Sequence, residues 1–235
     1  MKSAGNDIVA LRAVDQQRTH YNRFYSKILS DTEHSFFCRQ QPAEMPFENF
    51  VWLLWSVKES VYKYLKRTRA DLVFSPTKII LFKIDPPRQR GDGVFGYSPT
   101  VTSEGGQWET RNAGSCEEAL YKGIVLFESQ SFYFRSILCP EFISTIVNTE
   151  ENFENIWWGI KSIDHSDYHH QSAAVRAFAL GQLKAVLPAD AGTLQIGKSP
   201  LGYPVVLKDT EEMEIPLSFA HHDRFITYSF LLENS

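Results

Sequence analysis

The sequence predicts an α+β protein in which antiparallel sheets pack against long helices. Residues 47–67 (FENFVWLLWSVKESVYKYLKR) place apolar side chains at 47, 50, 51, 54, 57, 61 and 65, a helical stripe that ends on Lys66 and Arg67, where the helix dipole favours cations. Residues 121–138 (YKGIVLFESQSFYFRSIL) are β-like, with a polar centre at 128–131 that reads as a hairpin. The second half repeats this order: a strand over 156–163, a helix over 172–187 and a hairpin within 215–232 turning about His222 and Asp223. A duplicated α+β unit and one large domain both fit that pattern. An acidic, Asn-rich stretch over 148–154 is where two halves would meet, giving 1–150 and 151–235.

The remaining elements follow from local chemistry. Residues 5–13 (GNDIVALRA) form a β-branched apolar run behind a Gly-Asn turn signal and predict a strand. Residues 15–29 carry Tyr21, Phe24, Tyr25 and Ile28 at helical spacing. Pro42 and Pro46 punctuate the approach to the long helix. Beyond it, 77–84 reads as a strand, 85–93 as a polar loop, 94–101 as a strand and 102–118 as a polar connection. Short strands are expected at 193–196 and 205–207.

Composition excludes several classes. With 43% hydrophobic and 14% aromatic residues the chain can bury a core, so disordered, collagen-like and coiled-coil classes are out. A net charge of −4 argues against gripping nucleic acid through its phosphates. Cys38, Cys116 and Cys139 show no CxxC spacing and read as reduced thiols. The N-terminal residues contain no uninterrupted apolar run, and no stretch approaches 18 apolar residues. The expectation is a cytoplasmic protein with no membrane segment.

Four places could carry chemistry. Trp55, Glu59 and Lys63 lie at i, i+4 and i+8, along one helix face, where a carboxylate and an ammonium could share a divalent cation and a phosphate. Taken alone, the plainer account is an exposed Glu→Lys pair contributing about 0.2–0.5 kcal/mol. Asp7 sits inside an apolar strand, so it is either at the strand's solvated end, paired, or a metal ligand. The SFAHH segment, Ser218 to His222, lies between strong strands. Its adjacent histidines project to opposite faces and so do not share a metal. The histidine-rich stretch 164–170 precedes a helix and reads as a polar loop with N-cap character.

These segments, in this order, resemble the 4′-phosphopantetheinyl transferase superfamily. Gly5-Asn6-Asp7-Ile8-Val9 is similar to its Gly-x-Asp-Ile strand, and Arg23-Phe24, Ile28-Leu29-Ser30 and Glu33 to the stretch that follows it. Trp55-Ser56-x-Lys58-Glu59-Ser60-x-x-Lys63 resembles the signature W-(S/C/T)-x-K-E-A-x-x-K and is the specific match. Phe74-Ser75-Pro76-x-Lys78-Ile79, Gly202-x-Pro204 and Ser218-x-x-His221 are like later segments of the family. The motif order is that of the short holo-acyl-carrier-protein synthases, in a chain of the longer surfactin-synthetase-activating length. Ser60, Tyr203 and Ala220 stand where the pattern has Ala, Lys and Ser. Asn6 replaces an apolar residue, and Val9 stands where the longer type tends to have a second acid.

The resemblance implies a monomeric pseudo-dimer of two similar subdomains, each an antiparallel sheet with a long helix and with the cleft between them. It also implies transfer of phosphopantetheine from coenzyme A to a serine of an acyl or peptidyl carrier protein. Asp7 and Glu59 would ligate Mg²⁺, and Glu59 or Lys63 would take the serine proton. Lys58, Lys63, Ser218 and His221 would contact the phosphates of coenzyme A. Lys63, Lys66, Arg67 and Arg69 would form a basic rim for an acidic carrier. The alternative is a non-catalytic homologue that binds a carrier protein or an acyl-pantetheine chain. A shared site requires Asp7 and Glu59 to converge.

Overall fold

The structure, a computed structural model, describes residues 3–40, 45–85, 100–103, 119–187 and 193–232. The chain opens with strand β1 (Gly5–Ala10), two single-turn helices α1 (Gln16–Thr19) and α2 (Asn22–Tyr25), helix α3 (Asp31–Gln40) and the long helix α4 (Phe47–Lys66). After a 3₁₀ turn at Pro76–Lys78 come β2 (Ile79–Asp85), β3 (Thr100–Ser103), β4 (Ala119–Phe127), β5 (Gln130–Leu138) and β6 (Phe142–Asn148). The second half comprises β7 (Ile156–Ser162), α5 (Tyr168–Val186), β8 (Leu194–Lys198), β9 (Pro204–Lys208), β10 (Glu211–Glu212), β11 (Leu217–His222) and β12 (Phe225–Leu231).

Two sheets carry the fold. The first is antiparallel with the order β1-β6-β5-β4-β2. The second has the order β11-β12-β7-β3, its β3–β7 pair being parallel. A small sheet, β10-β9-β8, stands beside them. Alternation along each strand explains the layering. Val9, Phe132, Phe134, Ile143 and Val147 face α4 in one core, while Ile8, Ile137, Phe142 and Ile146 meet Trp158, Ile160, Ala220 and Leu231 of the second sheet. The far face of that sheet, with Leu217, Ile226, Tyr228 and Phe230, buries Val175, Ala179 and Leu183 of α5. The result is a helix–sheet–sheet–helix stack.

Most expected elements form, with instructive differences. The helix over 15–29 breaks into α1 and α2; the Asp15 side chain caps the start of α1, and Thr19, at its end, accepts from Trp52 Nε1 at 3.1 Å. Helix α3 was not expected, although Ser30 and Glu33 form a reciprocal capping box: Ser30 N donates to Glu33 Oε2 at 2.8 Å and Glu33 N to Ser30 Oγ at 3.3 Å. Strand β6 was also not expected. It is buried along its whole length, so it lacks alternation, and its Ser144 and Thr145 are satisfied internally. The second long helix starts at Tyr168 rather than Ser172, with Asp167 as N-cap accepting from His170 N at 2.9 Å. The strand expected over 94–101 is described only from Thr100, where β3 joins the second sheet; residues 94–99, 86–93 and 104–118 lie outside the described residues. Among the described residues no helix is long and apolar enough to cross a membrane.

Helix α4 crosses the first sheet unusually close to β1. A methyl group built at Gly5 would collide with the Ser60 carbonyl oxygen and lie 2.9 Å from Tyr64 Cβ. Ser60 keeps its own side chain against the helix by donating to Ser56 O at 2.8 Å. Gly5→Ala is therefore expected to lower stability by about 1–3 kcal/mol, through overpacking against backbone that cannot rotate away. A urea midpoint equal to that of the unmodified protein would show that the contact has slack.

Candidate active site

The close approach of α4 to β1 brings three charged side chains together. Gly5, Asp7 and Val9 share the face of β1 that looks at α4, and Glu59 and Lys63 lie one turn apart on the helix. Lys63 Nζ donates to Asp7 Oδ1 at 2.9 Å and stands 3.4 Å from Glu59 Oε1. Asp7 is 4% exposed, whereas the side chains of Lys63 and Glu59 are 24% and 27% exposed, so the cluster opens to solvent on the helix side.

Burial pushes the Asp7 carboxyl up to about 7, against the opposing pull of Lys63; the nearby Glu59 carboxylate adds to the rise. Burial alone would lower Lys63, but Asp7 and Glu59 together outweigh it and raise the lysine above its ordinary value. Lys63 is therefore an ammonium at neutral pH. Asp7 Oδ2 is buried and has no hydrogen-bond partner. A carboxylate oxygen in that position calls for a cation. Asp7 and Glu59 are hard oxygen donors of the kind Mg²⁺ takes in ones and twos, with water and substrate phosphate completing the shell. The residues present fit that ion. Among the described residues no group of three or more His, Cys, Asp or Glu side chains is gathered for a metal.

The second half contributes β11. Its alternation sends Leu217, Phe219 and His221 toward α5, and Ser218, Ala220 and His222 toward β1. His221 stacks edge-on with Tyr168 at 5.7 Å between ring centroids. Burial lowers its pKa, with smaller contributions from Lys63 and His222, so the ring is neutral at neutral pH. His222, not expected in the site, accepts from the Ala10 backbone N–H through Nδ1 at 3.1 Å. That bond places the neutral ring's proton on Nε2. Burial lowers His222 too, partly offset by Asp223 and Glu59. The S-x-x-H spacing thus separates its two members: Ser218 is buried on the opposite face of the strand from His221.

Lys58 stands outside this cluster. It is completely buried, and its ammonium donates to Glu33 Oε2 at 2.6 Å and to Ile28 O at 2.7 Å. Glu33 in turn accepts from Leu81 N on edge strand β2 at 2.7 Å. The expected phosphate contact gives way to a structural bridge joining α4, α3 and β2. The expected basic rim is likewise occupied. Lys66 donates to Ala70 O and Leu72 O, Arg67 to Leu217 O and Pro204 O, and Arg69 to both carboxylate oxygens of Glu128.

Residues 3–103 match the family model of the 4′-phosphopantetheinyl transferase superfamily. The matched span, somewhat under half the chain, contains Asp7, Lys58, Glu59 and Lys63; Ser218 and His221 lie beyond it. Neither the curated proteins nor the solved structures include a match.

Two substitutions separate the bridge from the cluster. Lys58→Met leaves Glu33 buried without its cation and is expected to cost about 3–5 kcal/mol in chemical denaturation; stability near that of the unmodified protein would return Lys58 to the list of free cations. Asp7→Asn tests the raised carboxyl. Folded Asp7 holds its proton more tightly than the unfolded chain does, so its ionisation destabilises the metal-free fold as pH rises from about 4 to about 7. Relative to Asp7→Asn, the unmodified protein should lose up to about 3 kcal/mol between pH 5 and pH 8 in a chelator. A difference that does not change with pH would mean that Asp7 titrates as an ordinary carboxyl.

Proposed function

We propose that the protein is a Mg²⁺-dependent transferase that moves 4′-phosphopantetheine from coenzyme A to a serine of an acyl or peptidyl carrier protein. The observation that carries this reading is the convergence of Asp7, Glu59 and Lys63, all within the family-matched span, around a buried carboxylate oxygen that lacks a partner. Asp7 and Glu59 hold the metal, which when bound neutralises charge on the pyrophosphate of coenzyme A. Lys63, held as an ammonium, contacts the same phosphates and cannot accept a proton. The serine proton therefore passes to Glu59, directly or through water, as the serine oxygen attacks the phosphorus bearing pantetheine. The bond from that phosphorus to the bridging oxygen breaks, and adenosine 3′,5′-bisphosphate leaves. His221, a neutral ring on the strand that also carries His222, contacts a phosphate from the second half.

The chain acts as a monomeric pseudo-dimer divided near residue 150. The order β1-β6-β5 of the first sheet is mirrored by β7-β12-β11 of the second, and each set opens with a strand that leads into a long helix. Doubling the unit in one chain puts the acids and the histidine on opposite sides of one seam. The cysteines fit a reducing cytoplasm.

Incubation with coenzyme A, Mg²⁺ and an apo carrier protein should add one phosphopantetheine to the carrier, read by intact mass. Glu59→Ala should slow that addition by about 10²-fold or more while leaving the fold intact. An unmodified carrier, together with no Mg²⁺-dependent binding of coenzyme A in calorimetry, would overturn the proposal. Carrier binding that persisted in that case would identify a non-catalytic binder.

A further inference from the structure

We infer that Arg67 is a positioning residue that sets the second half of the site against the first. Its two neighbours in the basic cluster act within the first half: Lys66 closes the end of α4 on Ala70 O and Leu72 O, and Arg69 pairs with Glu128. Arg67 crosses the seam. Its Nη1 donates to Leu217 O at 2.8 Å and to Pro204 O at 3.2 Å, and its guanidinium lies 4.4 Å from the centre of the Tyr203 ring. Leu217 is the residue before Ser218, so the bond fixes the root of the strand that carries His221 and His222. Pro204 opens β9, directly after the turn that Gly202 makes at φ +91°. One side chain, a turn beyond Lys63, therefore joins the α4 segment, the Gly-x-Pro hairpin and the strand of the two histidines.

A guanidinium can donate to two carbonyls while lying flat over a ring, and it is this planar stacking that an ammonium lacks. The contacts also account for Tyr203, whose ring supplies the stacking surface that a lysine at that position would not. Arg67 touches no reacting group itself, and its kinetic consequence rests on the transferase reading of the site. Loosening β11 displaces the strand that carries His221 and His222 while leaving Asp7 and Glu59 in place, so it weakens coenzyme A binding more than turnover.

The test compares Arg67→Gln and Arg67→Lys with the unmodified protein by hydrogen–deuterium exchange and by carrier modification. In Arg67→Gln, peptides covering 204–208 and 217–222 should exchange about tenfold faster, with β1 and α4 still protected. KM for coenzyme A should rise about tenfold, with kcat within about threefold. Arg67→Lys should show the same pattern more weakly, and it decides the matter in both readouts if Arg67→Gln does not fold. Unchanged exchange over 217–222, loosening spread over β1 and α4, or loss of folding in both variants would overturn the inference. The exchange readout needs no activity, so an inactive unmodified protein would sink the transferase reading and leave Arg67 to be judged on exchange alone.

Discussion

The site depends on a contact that contains almost no side chain. Helix α4 lies against β1 at Gly5 and Ser60 so closely that no further carbon fits between them, and this separation lets Lys63 reach Asp7 at 2.9 Å. A larger residue on either element would lift the helix and leave a buried aspartate with no cation beside it. The same helix is held from another side by Lys58 and Glu33, whose bond of 2.6 Å also secures the capping box of α3 and the edge of β2. Two lysines five positions apart thus do different work. Five residues turn a helix by roughly 140°, which carries one ammonium into the core and the other to the cluster's opening.

The cluster is electrostatically unfinished. When all three groups are ionised, Asp7 and Glu59 supply two negative charges and Lys63 one positive, which leaves one negative charge in a place where Asp7 is almost wholly buried. The raised Asp7 and raised Lys63 are two expressions of that imbalance, since each residue resists losing the proton that moderates it. Such an arrangement works against the stability of the empty fold and in favour of an incoming cation. A lysine pinned between two carboxylates is a poor base, and of the two carboxylates Glu59 is the one more open to solvent.

Much of this was legible in the sequence where pattern and chemistry coincide. The stripe along α4, the hairpin of β4 and β5 and the strand around Asp7 are local signals, and the structure realises them. What was not legible is what long-range burial decides. Nothing adjacent to Lys58 announces that it is enclosed, because its partner Glu33 is 25 residues away on a helix that was itself overlooked. The capping box Ser30–Glu33 was the available sign of that helix. Ser218 and His221 were grouped by spacing, yet an interval of three along a strand places them on opposite faces, and His222 is the residue that reaches β1. Strand β6 was hidden because a strand covered on both sides shows no alternation.

Three of the five departures from the family pattern, Asn6, Tyr203 and Ala220, make contacts between the first and second halves of the chain. Ala220 is 4% exposed among Ile8, Ile160 and Phe142, where a serine hydroxyl would have to find a partner in an apolar layer. Tyr203, just before β9, lies under Arg67. Asn6, in place of an apolar residue, donates to Thr227 Oγ1 at 3.3 Å, and Trp158 Nε1 donates to the same oxygen at 3.2 Å. Asn6 ties the two main sheets together, Ala220 keeps the layer between them apolar, and Tyr203 gives Arg67 its stacking surface. Ser60 and Val9 instead pack within the first half, so the divergent positions that bear on how the two sheets meet are Asn6 and Ala220, with Tyr203 bearing on Arg67.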